Sequence, residues 1–193
     1  MWKNINPATA AGILSILGLL VAAAGTAQQS SVAAVAERRD GQHDFDFNIG
    51  TWNTHIQRLQ KPLSGSTSWV QLNGTVTVRP IWGGRAQYEE IEADGATGHF
   101  EGMTLFLYNP ESHQWTQTYA SSRAGSLNPS LTGGFKDGRG ELFGVDQYGG
   151  RAILVRTVWS DIKPDSHHFE QSFSEDGGKT WEPNFVATLT RAH

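Results

Sequence analysis

The chain contains no cysteine, which excludes a disulfide, a thiolate metal site and a cysteine nucleophile. Its core must hold by packing and hydrogen bonding alone. Charge is also sparse: charged residues make up 18% of the chain, the formal net charge is −4, and there is no basic run. Phosphate binding needs a clustered basic surface, so no nucleic-acid partner is expected. A nucleophile elbow, a phosphate-binding glycine loop and a helix-borne metal motif are all lacking. From Trp52 onward no stretch keeps a helical period.

What is present suits a β protein. The 193 residues suffice for one domain with a real core, and 22 glycines with 10% aromatics fit many short strands joined by turns. Met1 to Gly12 carries one charge, Lys3, and the apolar run from Ile13 to Ala24 ends in small residues. This is the pattern of a cleavable signal peptide over residues 1–27, with cleavage after Ala24 or Ala27, because the run is shorter than the roughly 20 residues a span needs. Export to the periplasm or beyond is expected, with no membrane attachment after cleavage. Residues 28–42 are small and polar, read as a flexible leader, and the folded domain is expected over 43–193.

Beyond Trp52 the period is two. Trp69 to Val78 alternates through Asn73-Gly74, which fits either a hairpin turn or a bulge inside one strand. Turn signals recur at Trp82-Gly83-Gly84, Asn109-Pro110, Lys136-Asp137-Gly138, Gly149-Gly150 and Lys163-Pro164-Asp165, and Ser121 to Leu131 reads as a longer loop across one mouth. About eight to ten strands this closely spaced hide their edges most economically by closing into a single antiparallel up-and-down barrel.

Several stretches carry a family resemblance. Gly50-Thr51-Trp52 opens the first strand and Arg191 ends the last. With them stand His43-Asp44-Phe45-Asp46-Phe47, Arg79-Pro80-Ile81-Trp82-Gly83-Gly84, Trp159-Ser160-Asp161-Ile162 and Phe169-Glu170-Gln171-Ser172-Phe173-Ser174. Together these resemble a family of bacterial secreted calycin-like (lipocalin- and fatty-acid-binding-like) β-barrel domains, over about residues 43–191. The resemblance implies a small barrel with an internal cavity and an arginine lying over the first-strand tryptophan. It implies no mechanism.

Ser174-Glu175-Asp176-Gly177-Gly178-Lys179-Thr180-Trp181 matches the Asp-box of sialidase propellers. Propellers repeat that unit and this chain has one copy, so it predicts a hairpin with its turn at Asp176-Gly177-Gly178 rather than glycosidase chemistry. His43, Asp44 and Asp46 read as a solvated polar segment, and His167-His168 point to opposite faces of a strand, so neither predicts a metal site. No cofactor is expected.

Candidate ligand-binding residues are polar or aromatic side chains set in apolar strands, where burial costs free energy that a ligand would offset. They are Tyr88, Glu90, Tyr119, Arg123, Arg156, Trp159 and Glu170, with Arg156 and Glu170 expected to pair across a hairpin. The expected function is a binding protein that holds a small hydrophobic or aromatic molecule in the barrel. The alternative is a cofactor-free lyase, isomerase or hydrolase using a tyrosine, a carboxylate and an arginine in the same cavity. A homodimer stays open.

Overall fold

The computed structural model describes residues 40–193. The expected signal peptide, and all but the last three residues of the expected leader, lie outside the described residues. Ten strands follow one another: β1 (Gly50–Leu59), β2 (Trp69–Ile81), β3 (Ala86–Gly95), β4 (Gly98–Asn109), β5 (Gln114–Ser121), β6 (Leu131–Lys136), β7 (Arg139–Tyr148), β8 (Arg151–Ser160), β9 (Ser166–Ser174) and β10 (Glu182–Arg191). Each pairs antiparallel with its sequence neighbour, and β1 pairs with β10, so the sheet is a closed up-and-down barrel. Closure removes every sheet edge, the expected solution for so many short strands.

The tight hairpins follow from their turn residues. Asp137 and Gly138 both take positive φ, as do Gly149 and Gly150, which is the geometry that matches the twist of the flanking strands. The Asn73-Gly74 alternative resolves as neither a hairpin nor a bulge, because β2 runs unbroken over 13 residues in continuous register with β1 and β3. Gly74 is required there for a different reason. A Cβ would sit 1.9 Å from the carbonyl oxygen of Glu92, so the missing side chain lets β2 and β3 approach closely inside the barrel.

One end of the barrel is sealed by the chain that precedes β1. Residues 46–48 form a 3-10 turn, and Phe45 just before it is fully buried, with ring centroids 4.8 to 5.1 Å from Phe106, Trp115, Phe135 and Trp159. Trp115 Nε1 donates to the carbonyl of Gly41 at 2.8 Å, and the Tyr108 hydroxyl donates to that of Asp40. Asp40 and Gly41, the first described residues, are thus hydrogen-bonded to the barrel. The aromatic half of the 43–49 segment is a plug, and only its His43–Asp46 contact, at 2.8 Å, lies on the exposed side.

The corner is closed as the resemblance implied. Arg191 places its guanidinium 3.9 Å from the ring centroid of Trp52, while its nitrogens donate to the carbonyls of Phe47, Ile49 and Pro164. Trp52 Nε1 donates to the carbonyl of Asn48 at 2.8 Å. Gly50 has φ 125°, and a Cβ there would stand 2.6 Å from Arg191 Nη1, so only glycine lets the arginine cross over β1.

The Asp-box hairpin forms between β9 and β10. Asp176 accepts from the Ser174 hydroxyl, the backbone N–H of Lys179 and both the N–H and hydroxyl of Thr180, and Ser174 Oγ in turn accepts from the Gly178 N–H. These donors, the Thr180 backbone N–H first, hold the Asp176 carboxyl well below the usual carboxylate range. Its folded-state value lies below its unfolded one. The stability it adds is thus complete above the ordinary carboxylate value and fades as pH falls toward the folded one. Asp176→Ala is expected to lower the melting temperature at pH 7, with the gap to the parent narrowing in acid. Equal melting curves at pH 7 would show that the turn holds without these bonds.

Candidate ligand cavity

Residues of one parity on each strand point inward, and toward the end opposite the plug they enclose a cavity of about 510 Å³. That volume lies within the range of roughly 300 to 1,000 Å³ typical of small-molecule sites. Its two walls differ. Phe169 and Phe173 of β9, Phe185, Ala187 and Leu189 of β10, and Ile56 of β1 make an apolar wall. Across from it, Glu89, Thr104 and Tyr119 stand in register on β3, β4 and β5, and Gln117 of β5 accepts from the Thr157 hydroxyl of β8 at 2.9 Å. The rim carries Arg58, Glu101, Arg123 and Asp146, with residues of the 122–130 loop lying over it.

Burial perturbs two titratable groups of the polar wall and one beyond it. Glu89 is buried, accepting from Thr104 Oγ1 at 2.9 Å and from Asn48 Nδ2 at 3.3 Å, and no cation is paired with it among the described ion pairs. Burial pushes its carboxyl upward against the two hydrogen bonds. Tyr119 is raised to about 12, chiefly by burial, with Arg58 opposing. On β9, His167 is lowered to about 4 by burial first and then by Arg191, its ring edge-on to Trp52 at 4.5 Å and to Phe47 at 5.1 Å. Three cavity residues also keep buried atoms without a protein partner: Asn48 Oδ1, Thr54 Oγ1 and His167 Nδ1. Each such atom costs about 1 to 3 kcal/mol unless something pairs with it.

Of the residues expected from the sequence, Tyr119, Arg123 and Trp159 line this cavity. Arg123 is anchored at the rim, donating to the His99 carbonyl at 2.6 Å. Tyr88 and Glu90 lie on the outer face, where the Tyr88 hydroxyl donates to Glu90 at 3.2 Å and Arg79 stands 4.0 Å from the same carboxylate. The inward row of β3 is Gln87, Glu89, Ile91 and Ala93, one residue out of phase with the expectation. Arg156 and Glu170 do pair across the β8–β9 hairpin, at 3.6 Å, but on the outer face. Their neighbours Val155, Thr157, Phe169 and Gln171 take the inward positions. Trp181 of the Asp-box hairpin covers the pair from outside, with its ring centroid 4.7 Å from the Arg156 guanidinium.

No protein-family model matches the chain, and no curated protein matches it. Among solved structures, the S-type phycobiliprotein lyase CPES from Guillardia theta aligns with a TM-score of 0.56 at 13% identity, covering 81% of this chain and 94% of that one. A de novo designed fluorescence-activating β-barrel aligns at 0.41 with 14% identity over 76% of this chain and 95% of that one. The redesigned barrel mFAP0, bound to DFHBI, aligns at 0.42 with 12% identity over 75% and 99%. The likeness to the lyase is one of barrel fold.

Sequence reasoning passed over Glu89, Asn48, Thr54, Thr104 and His167. For Glu89 a signal existed: the alternate row of β3 reads Tyr88, Glu90, Glu92, Asp94, and a row of three acids belongs to solvent. Its complement must then face inward. His167 has no such signal, because its burial comes from the Phe47 plug and the Trp52 corner, both remote in sequence. Among the described residues no three His, Asp or Glu side chains are grouped to hold a metal ion.

Proposed function

We propose that this chain is a secreted or periplasmic, calycin-like barrel that binds one small hydrophobic or aromatic molecule in its cavity. The observation that carries this reading is the cavity itself: about 510 Å³, with an aromatic wall facing a polar one, and with unpartnered buried atoms on Asn48, Thr54 and His167 among its lining residues. An apolar ligand body gains from burial against Phe169, Phe173 and Phe185, at roughly 25 cal/mol for each Å² removed from water. The polar wall then sets its orientation.

The test uses a neutral aromatic dye, N-phenyl-1-naphthylamine, whose emission rises and shifts to the blue in an apolar site. Saturable binding of one dye per chain is expected. Ala187→Trp, which fills the apolar wall, should abolish it while the variant still melts cooperatively. Absence of saturable binding by the parent, or parental binding by a folded Ala187→Trp variant, would refute the reading.

A second reading, catalysis without a cofactor in the same cavity, is favoured by two buried titratable groups that line it, the Glu89 carboxyl pushed up and the His167 imidazole pushed down by burial, since such groups can serve as acid and base. It requires that a ligand retained from the native compartment change mass on incubation with the parent and stay unchanged with Glu89→Gln.

A further inference from the structure

The polar atoms of the cavity are not spread evenly. Thr54 of β1 and His167 of β9 lie in one row, each in register with Leu189 of β10 between them. Asn48 links this region to Glu89, because its backbone carbonyl accepts from Trp52 and its side chain meets the Glu89 carboxyl. Each oxygen of Glu89 has one protein partner, leaving a further hydrogen-bonding position on each. Asn48 Oδ1, Thr54 Oγ1 and His167 Nδ1 have none, on residues that are 1%, 4% and 3% exposed.

Formal charge is placed elsewhere. Arg58, Glu101, Arg123 and Asp146 all stand at the rim, and the described residues put no cation against Glu89. A carboxylate entering the inner part would meet an acidic side chain, while Arg191, the cation over Trp52, already gives its N–H groups to the carbonyls of Phe47, Ile49 and Pro164. The cost of removing it from water would be unanswered.

We propose that Glu89, Asn48, Thr54 and His167 form a neutral hydrogen-bonding clamp that selects ligands whose buried head both donates and accepts without carrying charge: a carboxamide, a lactam or a phenol. The inference rests on the cavity being a ligand site. The carboxylic acid of Glu89 offers an O–H donor and a C=O acceptor side by side, the complement of an amide N–H and carbonyl. The Thr54 hydroxyl serves either role. Whichever way the Asn48 amide turns, one of its polar atoms meets Glu89 and the other remains for the ligand. The aromatic body of such a ligand would lie against Phe169 and Phe185.

The experiment displaces bound N-phenyl-1-naphthylamine at pH 7 with three compounds sharing one ring system: naphthalene-2-carboxamide, naphthalene-2-carboxylate and 2-naphthylmethylammonium. The carboxamide is expected to displace the dye at a concentration on the order of tenfold lower than either charged compound. Glu89→Gln, which keeps a donor and an acceptor, should preserve that ranking. Glu89→Leu should erase the carboxamide's advantage over the two charged compounds, whatever the change in dye affinity, which is measured in the same titration. If the ammonium compound binds best and loses that advantage in Glu89→Gln, Glu89 is a carboxylate and the clamp is overturned. If the carboxylate matches the carboxamide, or no naphthalene compound displaces the dye, the clamp is overturned while the cavity reading stands. Failure of the parent to bind the dye at all removes both. Should Glu89→Leu not fold, the ranking in the parent and in Glu89→Gln still decides the outcome.

Discussion

Trp52→Ala is expected to destabilise the protein by about 3 to 5 kcal/mol, the range for deleting a fully buried large aromatic. Trp52 is 0% exposed and is held from several sides. Its indole N–H satisfies the Asn48 carbonyl at 2.8 Å, His167 packs edge-on at 4.5 Å, and the Arg191 guanidinium lies 3.9 Å above its ring. The cation–π contact contributes about 0.5 to 2 kcal/mol of the total. Alanine would also leave the Asn48 carbonyl without its donor and loosen the residue that positions Glu89. Trp52→Phe keeps most of the apolar contact and loses the N–H, so it should fall between the parent and alanine. Urea denaturation measures both, and a Trp52→Ala midpoint equal to the parent's would refute the closing-corner role.

Phe45→Ala should cost about as much, roughly 3 to 5 kcal/mol, and should change ligand kinetics as well. The ring is fully buried and contacts Phe106, Trp115, Phe135 and Trp159, edge-on to all but the first. It arrives from outside the sheet, on the segment before β1, so it fills the barrel end as a separate piece. Alanine would leave a void that the rigid strand backbones cannot close, and the sealed end would no longer be sealed. Faster release of bound N-phenyl-1-naphthylamine in stopped-flow dilution is the second expected result. A variant with parental stability would show that the plug packs without contributing. A destabilised variant with an unchanged release rate would show that ligands leave only past the 122–130 loop.

The two expectations for Arg156 and Glu170 separate what is local from what is not. Their pairing was legible because consecutive antiparallel strands bring such residues together across a hairpin. Their face was not. Alternation reveals the inward row only where the outer row meets water, and β8 is apolar on both faces: Val158, on the outer side, is 2% exposed. The Asp-box hairpin lies over that side, with Trp181 on Arg156 and 6.0 Å from Phe143. On β3 the outer face is open to solvent, and there the row of acids did mark the inside, at Glu89 rather than at Tyr88 and Glu90.

The strands, the glycine-dependent turns and the single Asp-box hairpin were determined by the sequence alone, because each depends on a two-residue period, on backbone angles within a few residues, or on a compact motif. The Trp52–Arg191 corner was legible only through the family resemblance. Closure of about eight to ten strands was expected from the same pattern, and the barrel has ten. Only the tertiary structure decided which polar side chains share the cavity. Asn48, Glu89, Thr104 and His167 come from the plug and from three strands, and each is buried by residues far from it in the chain. Burial is set by what covers a side chain, and in a closed barrel that cover comes from across the lumen and from the chain that seals the end.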